Sequence, residues 1–135
     1  MLTGCPNMKI VRFEDLEIWK ESLMITRNVY DILSKKEFNL EFELKNQIKR
    51  ATISISSNIV EGFEKNNNNE FIRFLKISKG SVGEVRSQFH IAFIVERISR
   101  EEFNFINKSL LSLSNKIGSL IVYLENKRKQ GHFKP

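Results

Sequence analysis

The chain has 135 residues, 41% hydrophobic and 28% charged, a soluble balance with room for one domain and its core but not for two. A formal charge of +6 favours a polyanionic partner. The single Cys5 excludes an intrachain disulfide, and no apolar run reaches the roughly 20 residues of a membrane span, so a cytoplasmic protein that makes no membrane contact is expected.

Residues 1–11 show neither a hydrophobic period nor a basic-then-apolar leader pattern. A flexible segment is expected there, with Met8 an alternative start to Met1. Prolines occur only at Pro6 and Pro135, which leaves the interior open to long helices. The first helix is predicted over 13–36, where Leu16, Trp19, Leu23, Thr26, Tyr30 and Leu33 recur at steps of three and four. Ile25, Val29 and Ile32 widen that stripe. The second helix is predicted over 41–61 from Leu44, Ile48, Ala51, Ile55 and Ile59, with Gly62 as its stop. Its β-branched residues tempt a strand reading of 51–60, but their alternation is brief while the helical spacing persists.

Asn66 to Asn69 form a polar loop, with Asn69 as the expected N-cap of a third helix over 70–98. Phe71, Leu75, Ser78, Val82, Val85, Phe89 and Ala92 keep the seven-residue repeat of packed, nearly antiparallel helices. A second stripe runs Phe74, Ile77, Ser81, Glu84, Gln88, Ile91, Val95 and Ile98, and its middle is polar. Ser99-Arg-Glu-Glu102 is a capping box that opens the fourth helix. Phe103, Ile106, Leu110, Leu113, Ile117, Leu120 and Leu124 follow at regular spacing, with an end expected near Lys127. An all-α fold results: an antiparallel up-down-up-down four-helix bundle over 12–127, then a basic tail at 128–135. Phe42, Ile53, Ile72, Phe93, Ile94, Phe105, Ile121 and Val122 exceed the needs of one seam, so a second buried face and a homo-oligomer are expected.

The motifs Phe13-Glu-Asp-Leu-Glu-Ile-Trp19, Ser54-Ile-Ser-Ser-Asn-Ile-Val-Glu-Gly62 and Glu70-Phe-Ile-Arg-Phe-Leu-Lys-Ile-Ser-Lys-Gly-Ser81 occur in that order. Together they resemble the bacterial four-helix-bundle proteins of the 23S ribosomal RNA intervening-sequence family, which in turn resemble the accessory variability determinant of diversity-generating retroelements. The likeness covers about residues 12–126. It departs at Ser56-Ser57, where a proline is common, and at Ser78, where alanine is common. The resemblance implies a ring of five subunits, and by analogy binding of nucleic acid and of a reverse transcriptase.

Charge is unevenly placed. Residues 13–63 carry seven Lys/Arg against nine Asp/Glu, and residues 64–135 thirteen against seven. Arg86, Arg97, Arg100, Lys108, Lys116, Lys127, Arg128, Lys129 and Lys134 are the candidate phosphate-binding residues, with structured RNA the favoured partner because no groove-reading motif is visible. A solubilising terminus is the plainer account of the tail. Asn58, Glu61, Glu70, Arg73, Ser81 and Glu84 are expected to form a structural polar network about the turn between helices two and three, which makes Arg73→Ala destabilising. Gly80, Gly83 and Gly118 are expected to mark close helix approach. No nucleophile–base–orienter set can be named, and His90 lacks the Glu-x-x-His spacing of a bundle metal site, so neither enzyme activity nor a metal or cofactor is expected.

Overall fold

The computed structural model describes residues 10–131, so the expectations for Met1, Cys5, Met8, His132 and Lys134 lie outside the described residues. Four α-helices make up most of that span: α1 Glu17–Leu33, α2 Phe42–Glu64, α3 Asn68–Ile94 and α4 Arg100–Lys129. Short 3-10 turns at Phe13–Asp15 and Lys36–Phe38 flank α1, and no strand occurs among the described residues. Among the described residues no helix is long and apolar enough to cross a membrane. α2 touches α1 and α3, and α4 touches α3 and α1, so α2 and α4 stand on opposite sides of a shared core.

Three of the expected seams line that core. Ile48, Ala51, Ile55 and Ile59 of α2, the whole Phe71–Ala92 repeat of α3, and Ile106, Leu110, Leu113, Ile117 and Leu124 of α4 are buried. The seam of α1 differs. Of the expected stripe, Leu16, Ile25, Val29, Ile32 and Leu33 are buried and Trp19 packs against the core, but Leu23 and Tyr30 are exposed. The inward line runs through Ile18, Ser22, Ile25, Val29 and Ile32. The true line has the same three-and-four spacing, but Ser22 interrupts it and hides it from a count of apolar residues. The Ser22 hydroxyl donates to the Trp19 carbonyl at 2.6 Å, which removes most of the cost of burying it.

Gly62 does not stop α2. It is buried inside the helix, and a Cβ there would lie 2.6 Å from Phe74 Cβ and 3.2 Å from the Phe71 ring. The glycine admits α3 at close range. α2 ends instead through Asn66, whose φ of 54° lies in the left-handed region that asparagine tolerates. The N-cap of α3 is Asn67, two residues earlier than expected, and its side chain accepts the Glu70 N–H at 3.0 Å. α3 closes at Ile94 rather than residue 98, through Glu96 at φ 63° and an Arg97 N–H to Ala92 carbonyl bond of 2.8 Å. The Ser99–Glu102 capping box is present with both of its hydrogen bonds.

The expected second face divides. Ile72 and Ile121 belong to the core and Phe93 packs against it, while Phe42, Ile53, Ile94, Phe105 and Val122 are exposed. The glycines divide as well. A Cβ on Gly118 would meet Lys79 Cε at 3.3 Å, but at Gly80 and Gly83 it would meet nothing within 4 Å, so within the protomer close approach explains neither.

Candidate nucleic-acid interface

The basic candidates fall on α3, the α3–α4 connection and α4, but they are not equally free to meet a phosphate. Arg86 donates from Nε to Asn107 Oδ1 at 3.1 Å, tying α3 to α4. Arg97 grips Glu41 Oε1 through Nη2 at 2.9 Å and Nε at 3.2 Å, and its Nη1 donates to the Val95 carbonyl at 2.7 Å. Lys116 bridges Glu17 at 3.0 Å and Glu21 at 2.9 Å on α1. Hydrogen bonds to Glu21 and then Glu17 raise its pKa above the ordinary lysine value. These three cations act first as ties between elements.

The others keep more of their charge available. Arg100 lies over the Phe93 ring at 5.0 Å and Lys127 over Tyr123 at 5.5 Å, contacts that orient a cation without neutralising it. Arg128 donates to Asn69 Oδ1 at 2.9 Å, a neutral acceptor at the start of α3. Lys129 is the exposed last residue of α4. Lys108 lines a shallow cleft between α1 and α4 with Glu21, Asn28 and Ser112. Lys134 lies outside the described residues. Sequence reasoning passed over Lys76 and Lys79 of α3. Lys76 pairs with Glu125 of α4 at 3.1 Å, whereas Lys79 is exposed and has no carboxylate partner among the described residues. Their three-residue spacing on one helical face was the available signal.

The polar residues around α2 and α3 form two separate groups, not one network. Inside, Asn58 Nδ2 donates to the Ser54 carbonyl at 2.8 Å and to Ser54 Oγ at 2.9 Å, and Ser54 Oγ meets Ser81 Oγ at 3.0 Å. Nearby, the buried Ser78 hydroxyl crosses to the Ile55 carbonyl at 2.8 Å. Outside, Arg73 and Glu70 form a two-bond fork, 3.0 Å on each arm, within one exposed turn of α3. The hydrogen bond from Arg73 lowers the Glu70 pKa, and the same bond raises that of Arg73. Glu61 and Glu84 are exposed and hydrogen-bond to neither group, although the charge of Glu61 helps to raise the pKa of Arg73. The split follows from helical phase: serines 54, 78 and 81 lie where α2 and α3 touch, whereas Arg73 stands off that line. The serines carried a weak signal, since a hydroxyl is compatible with either a buried or an exposed position.

A second opening, which the sequence did not indicate, lies between α1 and α2. It measures ≈ 540 Å³ and is lined by Trp19, Ser56, Ser57, Val60, Glu61, Glu64 and Lys65. Phe13 holds the indole edge-on at 5.1 Å. Among the described residues no group of three or more His, Cys, Asp or Glu is placed to hold a metal ion, and His90 stacks edge-on against Phe103 at 4.7 Å.

No curated protein matches the chain significantly. A solved structure of a protein of unknown function from the S23 ribosomal protein family of Bacteroides thetaiotaomicron is similar, at 23% identity and a TM-score of 0.70 over 77% of this chain and 97% of that one. At that identity the likeness shows the fold alone. Residues 14–119 match the family described as 23S rRNA-intervening sequence protein, from the 3-10 turn before α1 to two-thirds of the way along α4. With the match spanning most of the chain and the helical fold agreeing, the chain belongs to the 23S rRNA-intervening sequence protein family.

Proposed function

We propose that this protein is a non-enzymatic, cytoplasmic nucleic-acid-binding accessory protein that holds structured RNA on a basic homo-oligomer. The observation that carries the reading is the segregation of charge: thirteen Lys/Arg against seven Asp/Glu in residues 64–135, with Arg100, Lys108, Lys127 and Lys129 free of carboxylate partners among the described residues. The family's name, tied to 23S rRNA, supports RNA over DNA. The bundle would run up-down-up-down and antiparallel, a course supported by Ser54 of α2 meeting Ser81 of α3 while Gly62 meets Phe71 and Phe74. Five copies in a ring, as the family resemblance suggests, would carry about +30.

The test is binding of labelled structured RNA, single-stranded RNA and duplex DNA across a salt series, on protein of known mass. Structured RNA should bind tightest, with affinity falling steeply as salt rises. Reversing Lys127, Arg128 and Lys129 should weaken binding and cut the salt slope by about 2 to 3. No binding at low salt would sink the reading. A second reading, a protein scaffold such as a reverse transcriptase accessory subunit, is favoured by the exposed Leu40, Phe42 and Ile94, apolar side chains at the ends of α2 and α3. Capture of a reverse transcriptase by protein that ignores RNA would support it.

A further inference from the structure

The α1–α2 cleft is lined by the Trp19 indole, the Val60 side chain, the Ser56 and Ser57 hydroxyls, the Glu61 and Glu64 carboxylates and the Lys65 ammonium. Both glutamates are exposed and unpaired among the described residues, although Arg73 senses the charge of Glu61. Lys65 stands over the Phe74 ring at 5.8 Å, which leaves the two carboxylates in excess of the one cation in the lining. An aromatic face beside carboxylates suits an ammonium or guanidinium group.

The opposite side of the protomer carries the complement. α1 and α2 lie across the core from α3 and α4, and residues 13–63 are net acidic while 64–135 are net basic. Lys79 is exposed on the side of α3 that faces α4, beside Gly118, and lacks a carboxylate partner among the described residues. Ser78 bonds the Ile55 carbonyl and Ser81 bonds Ser54, so Lys79 is level with the Ser56–Ser57 end of the cleft. Glu61 and Glu64 lie about two turns further along α2, where Gly62 meets Phe71 and Phe74. Gly80 and Gly83 lie next to it with open space where side chains would be. Two complementary surfaces on opposite sides of a protomer, offset by about two turns, suit a head-to-tail contact in which each protomer is tilted against the next.

We infer that the Trp19–Glu61–Glu64 cleft of one protomer receives Lys79 of a second copy, whose Gly80 and Gly83 permit the close approach. The inference rests on the self-association in the proposed function and gives it a defined interface; it is independent of RNA. Each cleft is filled by the next protomer, so the contact propagates in one direction and ends only by closing a ring.

Light scattering gives the mass, and Trp19, the only tryptophan, reports on the cleft by its emission. The wild-type protein should be an oligomer whose Trp19 emission shifts as dilution dissociates it. Lys79→Glu, and separately Glu61→Lys with Glu64→Lys, should drive the mass toward the 15.8 kDa protomer, and combining the three should restore assembly. Glu61→Gln with Glu64→Gln keeps the cleft's shape and carries the test if a reversal fails to fold; it should weaken assembly about tenfold or more. Wild-type oligomers that survive both reversals, or a triple variant that stays dissociated, would overturn this interface alone. Wild-type protein that is monomeric at every concentration would overturn the self-association reading with it.

Discussion

A methyl group on Gly62 would sit 2.6 Å from Phe74 Cβ, and neither neighbour can yield without moving the core, since Phe71 and Phe74 are buried. Gly62→Ala gains helix propensity of about 1 kcal/mol but overpacks the α2–α3 contact at a cost of about 1–3 kcal/mol. Urea unfolding should show a net loss. Gly80→Ala meets nothing within 4 Å, so the same measurement on dissociated protomer should show a gain of about 1 kcal/mol. Ser78 is fully buried and its hydroxyl crosses to α2, so Ser78→Val, which leaves that side of the contact without its donor, should cost about 1–3 kcal/mol. Arg73→Ala, by contrast, opens an exposed fork within α3 and removes a guanidinium from over the Phe74 ring at 4.4 Å. Losing these contacts at the surface should lower the melting temperature only slightly, against the marked loss that a buried network would give.

At the scale of elements, the start of α4 is the most heavily tied terminus. Glu102 Oε1 accepts from the Ser99 N–H at 2.8 Å and from Lys35 Nζ at 2.6 Å, while Ser99 Oγ accepts the Glu102 N–H at 3.1 Å. One carboxylate thus caps a helix and anchors the segment after α1. Burial opposes its charged form, but hydrogen bonds from Lys35 and Ser99 outweigh it and hold its pKa below the ordinary 4.5. A lowered folded pKa means that this stabilisation is present above 4.5 and is lost as pH falls through the lowered value. Acid unfolding curves should therefore be shallower for Glu102→Gln than for wild type below pH 4.5, although the variant is less stable at neutral pH. Ser99→Ala should cost about 1 kcal/mol in thermal unfolding by removing one arm of the box.

For the whole molecule, the acidic α1–α2 half and the basic α3–α4 half make the protomer a dipole across its core. Such a protomer orients its neighbours and concentrates phosphate-attracting charge on one side. Raising salt should weaken both a charge-mediated assembly and any RNA complex, and sedimentation with and without RNA separates the two effects. Arg86, Arg97 and Lys116 already hold Asn107, Glu41 and the Glu17–Glu21 pair. Replacing them should lower stability as well as RNA affinity, whereas replacing Lys129 should lower affinity alone.

The sequence by itself determined the four helices, three of the four core seams, the capping box of α4 and the side on which positive charge accumulates. Those properties depend on near neighbours along one chain: hydrophobic period, side-chain-to-backbone bonds across a single turn, and net charge, none of which needs the partner helix to be known. Tertiary structure decided the rest. Whether Gly62 ends a helix or admits another depends on Phe71 and Phe74, and the inward line of α1 passes through Ser22 because a hydroxyl can satisfy itself on its own helix. Which lysines and arginines remain free depends on carboxylates up to 99 positions away, as Lys116 and Glu17 show. The cleft that joins Trp19 to Glu61 and Glu64 exists only because α1 lies against α2, a juxtaposition that no local periodicity encodes.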